Sequence, residues 1–281
     1  MQNIVVAFDA SAAADVALDW AAERASRSPS RVEIVMVAGT VLAEDDRADP
    51  SLSRAERRVR DRAPDADITS RRCDGRMPET LLEQAIAADM IVIGSHRHRT
   101  VRSAITGWLP LRIAARSTIP VVVVPDDWTV ESGPVLVGVD DDDSSAAALA
   151  FASCQAADAD VALVVVHAWL MPASQQEGPV ALLASPNKVK ATHRSILDDA
   201  VRTVASDRPT VRIEQALVHD NPAAALLSRA ADASLVVIGT HHRGILAGGF
   251  LGSVGQDVLT HSPAPVCVVP NEDAGRASEA R

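Results

Sequence analysis

Tyrosine is absent from this 281-residue chain, and phenylalanine and tryptophan number only three and four. So few aromatic rings leave little from which to build a base-stacking platform for single-stranded nucleic acid. Basic charge is also in deficit: 27 Lys and Arg against 37 Asp and Glu give a net charge of −10. Broad nucleic-acid binding, which needs clustered basic surface to neutralise phosphates, is therefore not expected. Cys73, Cys154 and Cys267 lie far apart and form no C-x-x-C pair, which argues against a disulfide or zinc framework and fits a reducing compartment. No apolar run nears the roughly 20 residues that span a bilayer, so no membrane partner is expected. The opening Met1-Gln2-Asn3-Ile4 lacks a basic stretch and runs straight into an apolar segment; no secretory leader and a cytoplasmic location are the expectation. Finally, no Ser-His-Asp order, nucleophile elbow or Walker lysine is present, so no catalytic residue is assigned.

What the chain has is one paragraph written twice. Asp89-Met-Ile-Val-Ile-Gly94, a loop to Gly107 and Pro120-Val-Val-Val-Val-Pro125 return as Ser234-Leu-Val-Val-Ile-Gly239, a loop to Gly252 and Pro265-Val-Cys-Val-Val-Pro270. The differences 239 − 94, 252 − 107, 265 − 120 and 270 − 125 are all 145. Further back, Pro222 follows Pro78 by 144, while Val135 to Asp140 follows Ile4 to Asp9 by only 131. The second copy thus carries 144 − 131 = 13 extra residues, expected as a loop between Met171 and Lys190, where Pro, Ser, Gln and Gly gather. Two domains follow, 1–127 and 134–271, each long enough to bury a core unaided.

Each copy alternates short apolar runs with amphipathic stretches. In the first, strands are expected at 4–8, 32–38, 66–73, 90–93 and 121–124. Helices are expected from Ser11, a natural cap, to Arg27, over Pro50 to Ala63, over Pro78 to Ala88 with Pro in the first turn, and from Gly107 to Arg116. Continuous Val and Ile runs between such helices signal strands buried on both faces. The fold class is α/β: two tandem doubly wound domains, each a five-stranded, mainly parallel sheet with helices on both faces. The last strand of each copy is short and apolar, and an uncovered edge of that kind invites pairing with another strand.

Ligands of doubly wound sheets sit outside the carboxyl ends of the strands, where strand order reverses. Each copy brings there an Asp ending its first strand, Asp9 or Asp140, and a glycine loop after its fourth. Glycine lets backbone N–H groups approach phosphate, and the helix N-terminus that follows adds a favourable dipole. With these residues in place, the chain resembles a tandem member of the universal stress protein family, whose nucleotide-binding members carry G-x2-G-x9-G-[ST]. The second copy keeps Gly239, Gly252 and Ser253 in that register, with His242 at the middle glycine; the first keeps Gly94 and Gly107 but has Arg97 and Trp108 at the other two positions. Ala10 and the pair Asp141-Asp142 also depart from the family's usual Gly-Ser.

The resemblance implies that Asp9 and Asp140 lie near adenine or ribose, that Ala168 offers its backbone to adenine, and that Gly239, Gly252 and Ser253 receive ribose and phosphates. It further implies that the two copies pair through their last strands, with a homodimer beyond that. The expected function is a cytoplasmic stress-response protein that binds ATP, in the second domain, as a regulatory ligand toward a protein partner not identified by sequence. Two alternatives stand beside it: a nucleotide-free interaction module of the same fold, and a slow ATP hydrolase. In the run Asp140 to Asp143, carboxylates could help hold Mg²⁺ beside a triphosphate, or Asp142 or Asp143 could cap the helix that follows. His96, His98, His241 and His242 fall in the two loops without further ligands at metal spacing, so no metal site is assigned. Arg97, Arg99 and Arg102 could recruit an anion to the first loop or form a solvated basic loop.

Overall fold

The computed structural model describes residues 1–39, 50–96, 109–130, 132–171, 186–240 and 251–271. The first copy runs β1 (Gln2–Ala7), α1 (Ala12–Ala25), β2 (Ser30–Ala38), α2 (Pro50–Arg62), β3 (Asp67–Asp74), α3 (Glu79–Gln84), β4 (Met90–Ser95), α4 (Leu109–Arg116) and β5 (Val121–Pro125). The second repeats this as β6 (Val135–Gly138), α5 (Asp143–Ala159), β7 (Leu163–Trp169), α6 (Pro186–Asp207), β8 (Ile213–His219), α7 (Pro222–Ala230), β9 (Leu235–Thr240), α8 (Gly252–His261) and β10 (Val266–Pro270).

Local chemistry sets several boundaries. Ser11 caps α1, its Oγ accepting the Ala14 N–H at 3.2 Å, and Asn221 caps α7 with Pro222 in the first turn, where a missing N–H costs nothing. Two expectations are corrected. The helix begun at Pro78 ends at Gln84 rather than Ala88, because the Ala85 N–H is shared between the Leu81 and Leu82 carbonyls and the last turn tightens. The segment after Met171 is not loop throughout: α6 starts at Pro186 and has 22 residues against 13 in α2, so part of the insertion is helix.

The larger correction concerns the sheet. The two copies do not form separate five-stranded sheets; one ten-stranded sheet runs β3-β2-β1-β4-β5-β10-β9-β6-β7-β8. Every pairing within a copy is parallel, and the seam between copies, β5 with β10, is antiparallel. At that seam Val266, Cys267 and Val268 face Val123, Val122 and Val121. Since 267 − 145 = 122, Cys267 sits opposite its own repeat equivalent, and a local two-fold axis passes between them. Pairing these edges satisfies backbone groups that each copy alone would expose beside a fully apolar strand.

Helices α1, α2, α5 and α6 cover one face and α3, α4, α7 and α8 the other, each face burying a core that spans both copies. Val92, Val122, Val137 and Cys267 belong to the first core, and Ile91, Val123, Leu136 and Val266 to the second. No described helix is long and apolar enough to cross a membrane.

Candidate functional site

Strand order reverses between β1 and β4 in the first copy and between β6 and β9 in the second. Both crevices open at the carboxyl ends of those strands, and the aspartates following β1 and β6 stand at their edges.

In the first copy Asp9 is exposed, and its Oδ1 accepts the Ser11 N–H at 3.0 Å. Ala10, between them, has φ = 61°, a left-handed conformation that glycine would adopt without steric cost. Gly94 lies in β4, where a Cβ would fall 2.1 Å from the Ala13 carbonyl oxygen. This glycine lets α1 cross the strand at close range. His96 Nδ1 lies 3.0 Å from Asp126 Oδ2 at the mouth of the crevice. Gly107, with Arg97, Arg99, Arg102 and Trp108, lies outside the described residues.

In the second copy Asp140 turns the chain out of the sheet. Its N–H donates to Ser145 Oγ at 2.7 Å, and its Oδ1 accepts the Asp141 N–H at 2.9 Å. Asp142 is the cap of α5: its Oδ1 accepts the Ser145 N–H at 2.9 Å and the hydroxyls of Ser144 and Ser145 at 2.7 and 3.1 Å. The cap reading of the acidic run therefore falls on Asp142, while the Asp140 side chain stays 71% exposed.

The glycines of the second loop divide the work. Gly239 repeats the crossing of Gly94: a Cβ there would meet the Ser144 carbonyl oxygen at 2.4 Å. Gly252 has φ = +68°, and nothing stands within 4 Å of its added Cβ. It opens α8, whose N-terminus has no side-chain cap, and both Gly252 and Ser253 are exposed. Uncapped N–H groups at a helix start form a ready anion site. His242 lies outside the described residues.

Ala168 owes its position to the end of a ladder. Parallel pairing of β6 with β7 closes with the Val139 N–H donating to the Val166 carbonyl. The next two rungs would join the Ala168 N–H to the Val139 carbonyl and the Asp141 N–H to the Ala168 carbonyl. Neither forms. The Val139 carbonyl instead accepts from His167 Nδ1 at 2.8 Å, and the Asp141 N–H turns to Asp140. Residues alternate in direction along a strand, so both backbone groups of Ala168 face the crevice beside Asp140.

A pair of histidines stands behind this edge. His167 is fully buried, and its Nε2 lies 2.8 Å from Nδ1 of His193 on α6. A carbonyl can only accept, so His167 carries a proton on Nδ1; in its neutral form Nε2 is then a lone pair, to which His193 Nδ1–H donates. Trp169 stacks on His193 with ring centroids 5.3 Å apart, and on His219 of β8 at 4.4 Å. His193 titrates below the ordinary histidine value, first because burial disfavours its charged form and then through His167, with Asp140 opposing. Only a histidine adjoining Ala168 was visible in the sequence; its partner lies among charged residues of a surface helix.

Against known proteins, the model of the universal stress protein family matches residues 1–125 and again 132–270. A universal stress protein of Mycolicibacterium smegmatis is 27% identical over 288 residues, covering 95% of this chain and 96% of the relative. One from Mycobacterium tuberculosis strain H37Rv is 32% identical over 195 residues, 67% of this chain and 64% of its own length. Among solved structures, a universal stress protein from Archaeoglobus fulgidus superposes with a TM-score of 0.71 over 97% of both chains at 16% identity, a likeness of fold. Matched in both halves by the family model, the chain belongs to the universal stress protein family as a tandem two-domain member.

Proposed function

We propose that this protein is a cytoplasmic, stress-responsive regulator that binds one adenine nucleotide, ATP, in the crevice of its second domain and does not depend on turning it over. The observation that carries the reading is the pairing of two backbone sets that have no partner among the described residues on one crevice: the Ala168 edge beside Asp140 and the start of α8 at Gly252, which has no side-chain cap. An adenine presents a donor beside an acceptor along one edge, which suits the N–H and C=O of a single strand residue. A phosphate suits the α8 N-terminus, where Gly252 admits it and Ser253 adds a hydroxyl. Asp140 would meet the ribose hydroxyls.

Gly239 and Gly94 serve this reading indirectly, by letting α5 and α1 seat against β9 and β4. By family resemblance alone, His242 belongs to the second site, and Asp9 and Gly107 to its counterpart in the first copy. In the first copy Ala10 strains the turn at the same point, and we assign that copy a scaffolding role. The protein partner addressed by the bound nucleotide, and a homodimer, belong to the same proposal.

The test is to denature freshly purified protein, identify released nucleotide by mass spectrometry and quantify it per chain, then titrate stripped protein with ATP and Mg²⁺. One adenine nucleotide per chain, weakened by Ser253→Ala, is the expected result. Protein that neither retains nor binds adenine nucleotide would leave the nucleotide-free interaction module in its place.

A further inference from the structure

The His167–His193 pair has a property that neither ring has alone. With both imidazoles neutral, His193 Nδ1–H donates to His167 Nε2 across 2.8 Å. A first proton can add at His193 Nε2 and leave that bond intact. A second must occupy His167 Nε2, and then two N–H groups on two cations face each other. The N···N bond can only break.

The bond lies one ring away from the candidate nucleotide edge. His167 Nδ1 holds the Val139 carbonyl, one residue before Asp140, and lies 4.0 Å from the Asp140 carboxylate. His193 belongs to α6, which contacts the sheet along β7 and β8. The pair therefore ties α6 to the point where β6 leaves the sheet and Ala168 presents its backbone.

Charged and titratable groups around the pair come from every neighbouring element. On β7 there is only His167 itself; on β8, His219 stacks on the far face of Trp169. The loop after β6 supplies Asp140, and Asp142 at the head of α5 is engaged by Ser144 and Ser145. On α6 itself, Lys190 and Arg194 flank His193 and are exposed. Among the described residues Asp140 is the carboxylate that favours a proton on His193, and Asp198 and Asp199 lie further along α6.

We propose that His167 and His193 form a proton-controlled latch on the second crevice: closed with zero or one proton on the pair, opened by the second, which drives the two rings apart, frees α6 and, as the charged His167 ring turns away from His193, takes its Nδ1–H off the Val139 carbonyl at the Ala168–Asp140 edge. The proposal rests on the nucleotide reading for its biological consequence and on the two rings alone for its chemistry. Loss of a bound nucleotide on acidification is the output.

The test uses the full chain, labelled with ¹⁵N histidine, and long-range proton–nitrogen spectra that report tautomer and charge. At neutral pH His167 is expected as the Nδ1–H tautomer. The pair is expected to take up its protons in two steps separated by about one pH unit or more, with α6 amides changing only in the second. His193→Gln, which keeps a donor toward His167 but cannot titrate, is expected to leave α6 unchanged through the same range. ATP affinity of the parent is expected to fall at least about tenfold across the second step, and that of His193→Gln to stay within about twofold.

Independent single-step titration of the two rings, or α6 amides that change identically in His193→Gln, would overturn the latch. Coupled titration in a chain that binds no ATP at any pH retires the nucleotide reading and upholds the latch. ATP binding that is equally pH-dependent in both proteins overturns the latch and leaves the nucleotide reading standing.

Discussion

Arg24 of the first copy reaches Asp158 of the second at 3.0 Å, across the local two-fold axis that relates the copies. Their repeat equivalents, at 24 + 131 = 155 and 158 − 131 = 27, are Gln155 and Arg27, and this two-fold-related pair is not made: Arg27 turns to Glu23 instead. One side of the axis is locked by an ion pair and the other is not. Arg24 also donates to Gln2 Oε1 at 2.9 Å, and burial pulls its pKa down against the pull of Asp158.

The locked side gives an ordered pair of predictions. Asp158→Asn leaves a guanidinium that is only 7% exposed without its counter-charge, whereas Arg24→Met removes the charge and returns a half-exposed carboxylate to water. Asp158→Asn is expected to cost about 2 kcal/mol and Arg24→Met about 1 kcal/mol. Urea unfolding of both variants checks the order; equal or reversed costs would show that the ion pair does not hold the copies together.

On the unlocked side, Gln155 is 4% exposed and its Oε1 has no partner. It lines a cavity of about 40 Å³ with Arg24, Arg27, Trp20 and Ser234. An unsatisfied buried amide is worse than an apolar group of similar size, so Gln155→Leu is expected to stabilise the protein by about 1 kcal/mol. A rise in the midpoint of thermal unfolding is the readout. A fall would mean that the amide is satisfied by a molecule held in the cavity.

The two glycines of the second loop should respond differently to the same change. Gly239→Ala drives a Cβ to 2.4 Å from the Ser144 carbonyl oxygen, backbone that cannot swing away, and is expected to cost about 3 kcal/mol. Gly252→Ala meets open space and bears only the left-handed φ of +68°, a cost of about 1 kcal/mol. Denaturant titration of the two variants separates a packing glycine from a backbone one.

That separation marks how much the sequence could say. The doubled pattern from Gly94 to Pro125 and from Gly239 to Pro270 carried the α/β layers, the capping of α1 by Ser11 and the placing of Asp9 and Asp140 after buried strands, because apolar periodicity and side-chain caps are local properties. The single sheet was not legible from residues alone: Val121 to Val124 reads as an apolar edge, and which edge covers it depends on an antiparallel register between positions 145 apart. The role of Gly94 and Gly239 was hidden for a similar reason. A glycine in a phosphate-type motif and a glycine beneath a crossing helix look alike in sequence, and only the distance to Ala13 or Ser144 tells them apart. The His167–His193 bond joins a strand to a helix whose own pattern is charged and amphipathic, with nothing to mark one histidine among its polar residues.

Thiol chemistry tests the seam between the copies. Cys267 is fully buried in β10 at the two-fold axis, and burial pushes its thiol well up, with Arg24 acting the other way. Cys73 and Cys154 are partly exposed, and all three are free. A thiol reagent is expected to modify two cysteines per native chain and the third only on unfolding. Rapid modification of Cys267 in the native protein would show that β5 and β10 part readily.

Stability should fall on the acid side through His193. Its folded value lies below its unfolded value of about 6.5, so between the two the unfolded chain binds more protons. The stabilisation that follows from a depressed value is complete above the unfolded value and is lost as pH falls through the folded one. His193→Gln has no proton to gain there. Its unfolding free energy is therefore expected to change less than the parent's between about pH 7.5 and about pH 5, even if its stability at neutral pH is lower. Parallel pH profiles for the two proteins would place the acid sensitivity in another group.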